Sequence, residues 1–278
     1  MINITYNADD FGISPGVNQA IQKAHTEGML NSTSIMINMK WTDKAVQMAK
    51  EMPNLAIGLH GNLTNQYSVL PWQEIPLLVD KNNKFKHGFV KLFLIGLLHP
   101  FQLKKQAKKE IEAQINKAAS YGIKLQHLDS HRHVHMIPAI FKAFLELKQQ
   151  YNIPRIRFIN ENPFRSIAFS ESKEWIKDGA LVKSFILSFC AVLNKILYRY
   201  KSDTYFYSII HTCKISAQRI KELKVPPIYK KAEIMLHPGM PEIDKQFKED
   251  IFDDNILNDW RSIELQALLN NKVKKNKK

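Results

Sequence analysis

Short apolar runs alternate with stretches of helical period from the start of the chain, and each run predicts a strand feeding a helix. INITYNADD (2–10) reads as the first strand. In the following SPGVNQAIQKAHTEG, Ser14 suits an N-cap and Pro15 the first helical position. Val17, Ala20, Ile21 and Ala24 form the apolar stripe of that helix, and Gly28 marks its stop. STSIMIN (32–38) predicts a second strand, and Thr42 caps a helix through Ala45, Val46 and Ala49 that stops before Pro53. LAIGLH (55–60) is a third strand, apolar until it ends on His60. After an irregular stretch rich in Pro, Asn and Lys (66–87), Leu103, Ala107, Ile111, Ile115 and Ala118 make a helical stripe with lysines opposite, closed by Gly122. LQHLDSH (125–131) predicts the next strand and Pro138 opens a helix carrying Ala139, Phe141, Leu145 and Leu147. PRIRFIN (154–160) and AEIMLHPG (232–239) read as further strands. Strand then helix, repeated this often, predicts an α/β fold with a parallel sheet, open or closed into a barrel.

The notable polar residues fall where these strands end. Asp9 and Asp10, His60, His131 and His237 each lie at the C-terminal end of an apolar run. In parallel α/β folds the active site gathers at that edge, so four separate segments are expected to converge.

One segment is unusually dense: HLDSHRHVHMIP (127–138) holds four of the ten histidines, His127, His131, His133 and His135, with Asp129 among them. Neutral imidazole is the commonest metal ligand and a frequent proton carrier. If the run is strand-like, all five side chains share one face. At ~6.6 Å per two residues, at most one or two reach a common ion, leaving the others to support ligands, touch substrate or pack. A histidine run merely satisfied in the core is the competing reading.

Asp10, His60 and His131 make a set of one carboxylate and two imidazoles, which suits a catalytic divalent ion with open positions. The adjacent carboxylates Asp9 and Asp10 are expected to point in different directions and divide labour, one binding a cation and the other taking a proton from water. A turn or helix cap would use the same pair. Asp9 then serves as the base. His237, before a Pro-Gly turn, is the candidate acid that protonates a leaving group, unless it is only a core-edge histidine. His127 and Asp129 suit partners that orient a ligating imidazole. His133 and His135 would touch substrate or pack under the next helix, and Asn62, two residues past His60 and on the same face if the strand continues, could hydrogen-bond substrate.

NADDFG (7–12), SPGVN (14–18), GLHGNLT (58–64), HLDSHRHVH (127–135) and HPG (237–239) together resemble the YdjC-like carbohydrate deacetylases, a family that includes chitooligosaccharide deacetylases and the hopanoid-associated HpnK branch. The resemblance implies a distorted (β/α) TIM-like barrel with fewer than eight full units, over a single domain at 1–269. It implies removal of acetyl groups from N-acetylated amino sugars. Carried over motif by motif, the family's metal ligands fall on Asp10, His60 and His131, its base on Asp9, and a further active-site residue on His237. VLPWQEIPLLVDKNNKF (69–85) is similar to the HpnK branch, which implies a lipid-linked sugar. Residues 165–205 carry no motif of the family and read as a variable insertion.

Composition changes this picture little. Hydrophobic content of 45% and charged content of 24% are ordinary for a globular chain with a sizeable core. Two cysteines, Cys190 and Cys213, make no disulfide framework and fit a reducing compartment. MINITYNADD lacks the features of a secretory signal. The apolar runs 89–98 and 184–193 are each about ten residues, too short to span a bilayer. These features point to a cytoplasmic protein, or one at the inner membrane surface. The net charge of +14 sits partly in the tail 270–278, which reads as solvated and disordered. No interleaved aromatic-basic motif supports a nucleic-acid partner. The expected cofactor is one divalent ion, magnesium or zinc, and the expected partner an N-acetylated sugar; a homodimer stays open. Two other readings compete: a metal-dependent ester or phosphate hydrolase, against which the lack of a phosphate-cradling glycine loop counts, and a peripheral membrane-binding protein that uses the basic surplus and the apolar 184–193 run.

Overall fold

The computed structural model of the chain describes residues 2–162, 164, 166 and 180–270. Of the expected insertion, residues 165 and 167–179 lie outside the described residues, as does 271–278 of the basic tail. Seven parallel strands are present among the described residues: β1 (Asn3–Phe11), β2 (Ser32–Ile35), β3 (Ala56–Gly61), β4 (His127–Ser130), β5 (Arg155–Ile156), β6 (Thr204–Tyr207) and β7 (Lys231–Leu236). Their order, β5-β4-β3-β2-β1-β7-β6, makes a curled half-barrel that falls short of eight units, as a distorted TIM-like barrel should. The accompanying helices are α1 (Pro15–Thr26), α2 (Thr42–Lys50), α3 (Phe89–Leu98), α4 (Pro100–Ser120), α5 (Pro138–Gln150), α6 (Ala180–Tyr198), α7 (Ala217–Glu222), α8 (Pro241–Asp244) and α9 (Trp260–Asn270).

Strand alternation sorts residues into two layers. Ala8, Leu59, Leu128, Ile234 and Leu236 are fully buried and belong to the apolar core shared with the helices. The alternate positions are polar and equally buried: Asn7 and Asp9, Ser32 and Ser34, His60, His127 and Asp129, Arg157, and Glu233. Such a layer is tolerable only if its groups satisfy one another. Nearly all do: Asn7 donates to Asp9 at 2.8 Å and to Ser34 at 2.9 Å, while the Ser32 hydroxyl donates to Asn7 at 2.6 Å; the His127 Nδ1 is the exception, without a partner among the described residues.

Three sequence expectations shift. Ser14 caps α1 by accepting from the Val17 N–H, as its spacing predicts. Thr42, expected as a cap, is instead the first helical residue of α2; its hydroxyl donates to the Met36 carbonyl at 2.8 Å. The apolar run 184–193 is the middle of a longer helix, α6, whose window Leu181–Tyr198 reaches a mean hydropathy of 1.6 and is long and apolar enough to cross a membrane by length and composition.

The third difference concerns the open edge of the sheet. PRIRFIN is predicted as a strand over 154–160, yet only Arg155–Ile156 pairs as one. Beyond it, the side chain of Asn160 replaces a ladder: its amide donates to the Thr204 carbonyl at 3.0 Å, and its oxygen accepts the Phe206 N–H at 2.8 Å. One carboxamide thus bridges the edges that β5 and β6 leave unpaired. Replacing it leaves the Phe206 N–H of β6 without its acceptor and the Thr204 carbonyl with the Ser202 hydroxyl alone. Asn160→Ala should lower unfolding stability by about 1–3 kcal/mol in urea titrations; a loss within experimental error of zero would mean that the seam is held by other contacts.

Candidate active site

Asp9 and Asp10 sit where β1 loses register with β2, between Ala8 and Phe11. Asp10 adopts a left-handed conformation, φ 70°, which aspartate tolerates better than most residues. A regular strand would send the two carboxylates to opposite faces; the irregularity brings both within reach of His60, whose Nε2 lies 3.9 Å from Asp9 and 3.5 Å from Asp10.

His60, near the end of β3, is aimed by Asp129 of β4. Its Nδ1 is 2.6 Å from one Asp129 oxygen, while the other accepts the Ser34 hydroxyl at 2.6 Å. His131 follows β4 directly, with Nδ1 3.1 Å from Asp10 and Nε2 buried without a partner among the described residues. Ligand atoms of Asp10, His60 and His131 all lie within 4.8 Å of one another, so the structure brings the three together. Arg261, at the start of α9, donates to the second Asp10 oxygen at 3.0 Å.

The histidine run is not a strand throughout. After Ser130 the chain enters a 3-10 segment, His131–Met136, in which Arg132 and His133 are left-handed, so the one-face alternation ends at His131. His135 is turned inward and fully occupied: Nδ1 is 2.7 Å from the Ser130 hydroxyl and Nε2 3.1 Å from the Arg157 carbonyl. That is packing, not substrate contact. His133 is buried beside Phe206, its Nδ1 without a partner among the described residues. His127 lies under Gly58, with Nε2 3.0 Å from Ser34; a Cβ at Gly58 would sit 2.3 Å from the imidazole, so the close approach requires glycine. It therefore supports Asp129 through Ser34 and does not orient a ligating imidazole directly. Asn62 is also used within the fold: its oxygen accepts the Thr64 and Asn65 N–H groups and its amide donates to the Asn65 carbonyl at 2.6 Å. Those bonds close the turn after β3 and leave it no free side-chain group for a sugar.

Sequence reasoning missed Arg157. Its guanidinium is fully buried and binds Asp9 through two bonds of 2.7 and 2.6 Å, Glu233 at 2.7 Å and Asp129 at 2.9 Å. The available signal was a charge alternating with apolar residues in PRIRFIN and a lone acid in AEIML, complementary charges on two inner strand faces. Arg261, just after a tryptophan in a polar stretch, offered none.

Electrostatics at the edge favour a cation. Burial pushes the Asp10 carboxyl up, but the hydrogen bond and charge of His131 with the charge of Arg261 outweigh it and hold it well below the usual carboxylate range. Burial pulls His60 down, yet Asp9, Asp129 and Asp10 outweigh it and draw the imidazole toward protonation. A site that recruits a proton onto an imidazole among three carboxylates, beside an unpartnered buried His131 nitrogen, fits a divalent ion in its donor set. His237, after β7, is turned by Glu264, which accepts its backbone N–H at 2.5 Å. Burial, together with Arg261, pulls its imidazole down to about 4 against Asp10 and Asp9.

The sequence matches the YdjC-like protein family over residues 3–277. The chain belongs to that family. Relatives include proteins named carbohydrate deacetylase from Brevibacillus brevis, 38% identical over 153 residues, and from Thermoanaerobacter pseudethanolicus, 36% identical over 152 residues. The first match covers 55% of this chain and 58% of the relative, the second 53% and 57%, so the alignments span a little over half the length of each. A solved structure from Enterococcus faecalis, named as a candidate cellobiose-phosphate cleavage protein, superposes with a TM-score of 0.63 at 24% identity, covering 96% of this chain and 90% of that one. That likeness extends the common fold to nearly the whole YdjC-like chain.

Two outcomes follow from the buried charges. Arg157→Met leaves Asp9 and Asp129 buried without their cation and Glu233 with Arg155 alone, and should cost about 3–5 kcal/mol of unfolding stability; adding Glu233→Gln should recover part of the loss. Acid should act in two windows. His127 and His135, each held near about 4 by burial, stay neutral in the folded state while the unfolded chain takes up protons below about 6.5. Stability of the metal-free protein should therefore fall as pH drops from 6.5 toward 4, by about 1.4 kcal/mol per pH unit for each histidine at the steepest. Glu233 is pushed up by burial but held near about 2 by Arg155 and Arg157, and its contribution disappears only as pH falls from the ordinary glutamate range toward 2. Urea midpoints measured across pH test both; a flat profile between 6.5 and 4 would contradict the buried neutral histidines.

Proposed function

We propose that this YdjC-like protein is a metal-dependent hydrolase that removes acetyl groups from N-acetylated amino sugars. The observation that carries the reading is the convergence of Asp10, His60 and His131 from the ends of β1, β3 and β4. The names of the curated relatives supply the substrate class, since they are called carbohydrate deacetylases.

Asp10, His60 and His131 would hold the ion, with Asp129 fixing the His60 tautomer so that Nε2 faces Asp10. A divalent cation in such a set polarises an acyl oxygen and lowers the pKa of water. Asp9 faces the same point and is kept in place by the two-bond grip of Arg157. It takes the proton from the attacking water. His237, pulled to about 4, is neutral near pH 7 and is a poor resting acid. The proton needed by the departing amine is therefore the one that Asp9 has just accepted, and neutral His237 hydrogen-bonds the reacting amide.

Acetate release from N-acetylglucosamine and chitobiose, before and after chelation and metal return, tests the reading. His131→Ala should lose both bound metal and turnover. Asp9→Asn should keep metal while kcat falls by ~10²–10⁴. His237→Ala should cost less than Asp9→Asn and leave the acid limb of the pH profile in place. Full acetate release by the His131 variant would refute the assignment, and phosphate release in place of acetate would favour a phosphate hydrolase.

A further inference from the structure

We propose that α3 and α6 form a surface that docks on an anionic lipid bilayer, beside the mouth of the site. Both helices are apolar outward. On α6, Val182, Phe185, Phe189, Val192 and Ile196 recur at helical spacing and are 49–68% exposed, while Leu187, Cys190, Ala191 and Asn194 face the protein. On α3 and the first turn of α4, Val90, Leu94, Leu97, Leu98 and Phe101 are 48–82% exposed. Scattered exposed apolar residues need no explanation, but two such faces on neighbouring helices do.

Both are anchored on one short segment of the chain. Asn194 of α6 donates to the Met136 carbonyl at 2.8 Å and Tyr198 to the Pro138 carbonyl at 3.0 Å. At Gly96 of α3, a Cβ would lie 3.0 Å from the Ile137 side chain. Both helices therefore seat on residues 136–138, immediately after the 3-10 segment that begins with His131. Only 28% of the α6 window is buried, yet its inner face is hydrogen-bonded to the body of the protein. A helix bound along one side and apolar along the other suits the plane of an interface rather than a span.

Charge selects the occupant. Neither helix holds an Asp or Glu, whereas α3 carries Lys91 and α6 carries Lys183 and Lys195. The groove past the end of α6 is lined by Lys195, Arg199, Lys201, Lys230 and Lys231, with Asp203 the acid among its lining residues. A second copy meeting this face would bring like charge to like charge on a chain of net charge +14. An anionic lipid surface accepts both the apolar stripe and its basic flank.

Co-sedimentation of the full chain with vesicles tests this without reference to turnover, so it stands or fails apart from the deacetylase reading. The protein should partition onto mixed phosphatidylcholine and phosphatidylglycerol vesicles at least ~tenfold more than onto phosphatidylcholine alone. Phe189→Glu with Ile196→Glu, and separately Leu97→Glu with Phe101→Glu, should each weaken that binding by ~tenfold or more. The thermal midpoint and acetate release from a soluble sugar should stay unchanged, because these side chains face solvent. Both double variants retain the basic tail, so undiminished binding by them would overturn the proposal. So would equal partition on the two vesicle types, or a dimer that the same substitutions dissociate.

Discussion

Inside the curl of the sheet, the guanidinium of Arg157 joins carboxylates from three strands: Asp9 of β1, Asp129 of β4 and Glu233 of β7. Each of these acids, buried alone, would be expensive, and together they would repel. One planar cation with its donors spread around a fork satisfies all three at once, which a lysine could not do with the same geometry. Burial works against the charged guanidinium, but the three carboxylates outweigh it and hold it firmly protonated. The polar interior of the barrel is therefore a condition of the fold as much as of the site.

The site edge inherits its order from that interior. Asp129 is held by Arg157 and Ser34, and it in turn fixes His60. Asp9 is held by Arg157 and Asn7, and the irregularity after Ala8 swings Asp10 to the same side. Two left-handed residues after β4 then let His131 stay at the edge while His135 turns into the core. Backbone strain of about 1–3 kcal/mol at each such residue persists only where the surroundings over-determine it, and here the buried network does.

The alternation of strand and helix was legible because apolar periodicity reports which face is covered. Ser14, Pro15 and the stripe after them specify α1 almost entirely from local chemistry. The residues of the edge were legible for a different reason: imidazoles and carboxylates ending apolar runs are rare enough to stand out. What the sequence hid is what depends on backbone irregularity or on partners far away in the chain. The shared direction of Asp9 and Asp10 comes from a register shift, the roles of Asn62 and His135 from turns that consume their polar atoms, and the support of Asp10 from Arg261, 251 residues away. Asn160 is similar: its side chain takes the place of a strand pair, so periodicity alone overextends β5.

The central claim is that the ends of β1, β3 and β4 hold a single cation. Crystals grown with zinc or manganese and measured at the metal's absorption edge address it directly. The account predicts one anomalous peak within ~2.0–2.2 Å of ligand atoms from Asp10, His60 and His131. A clean map with no peak among these three side chains, or a peak held by other residues, would contradict it.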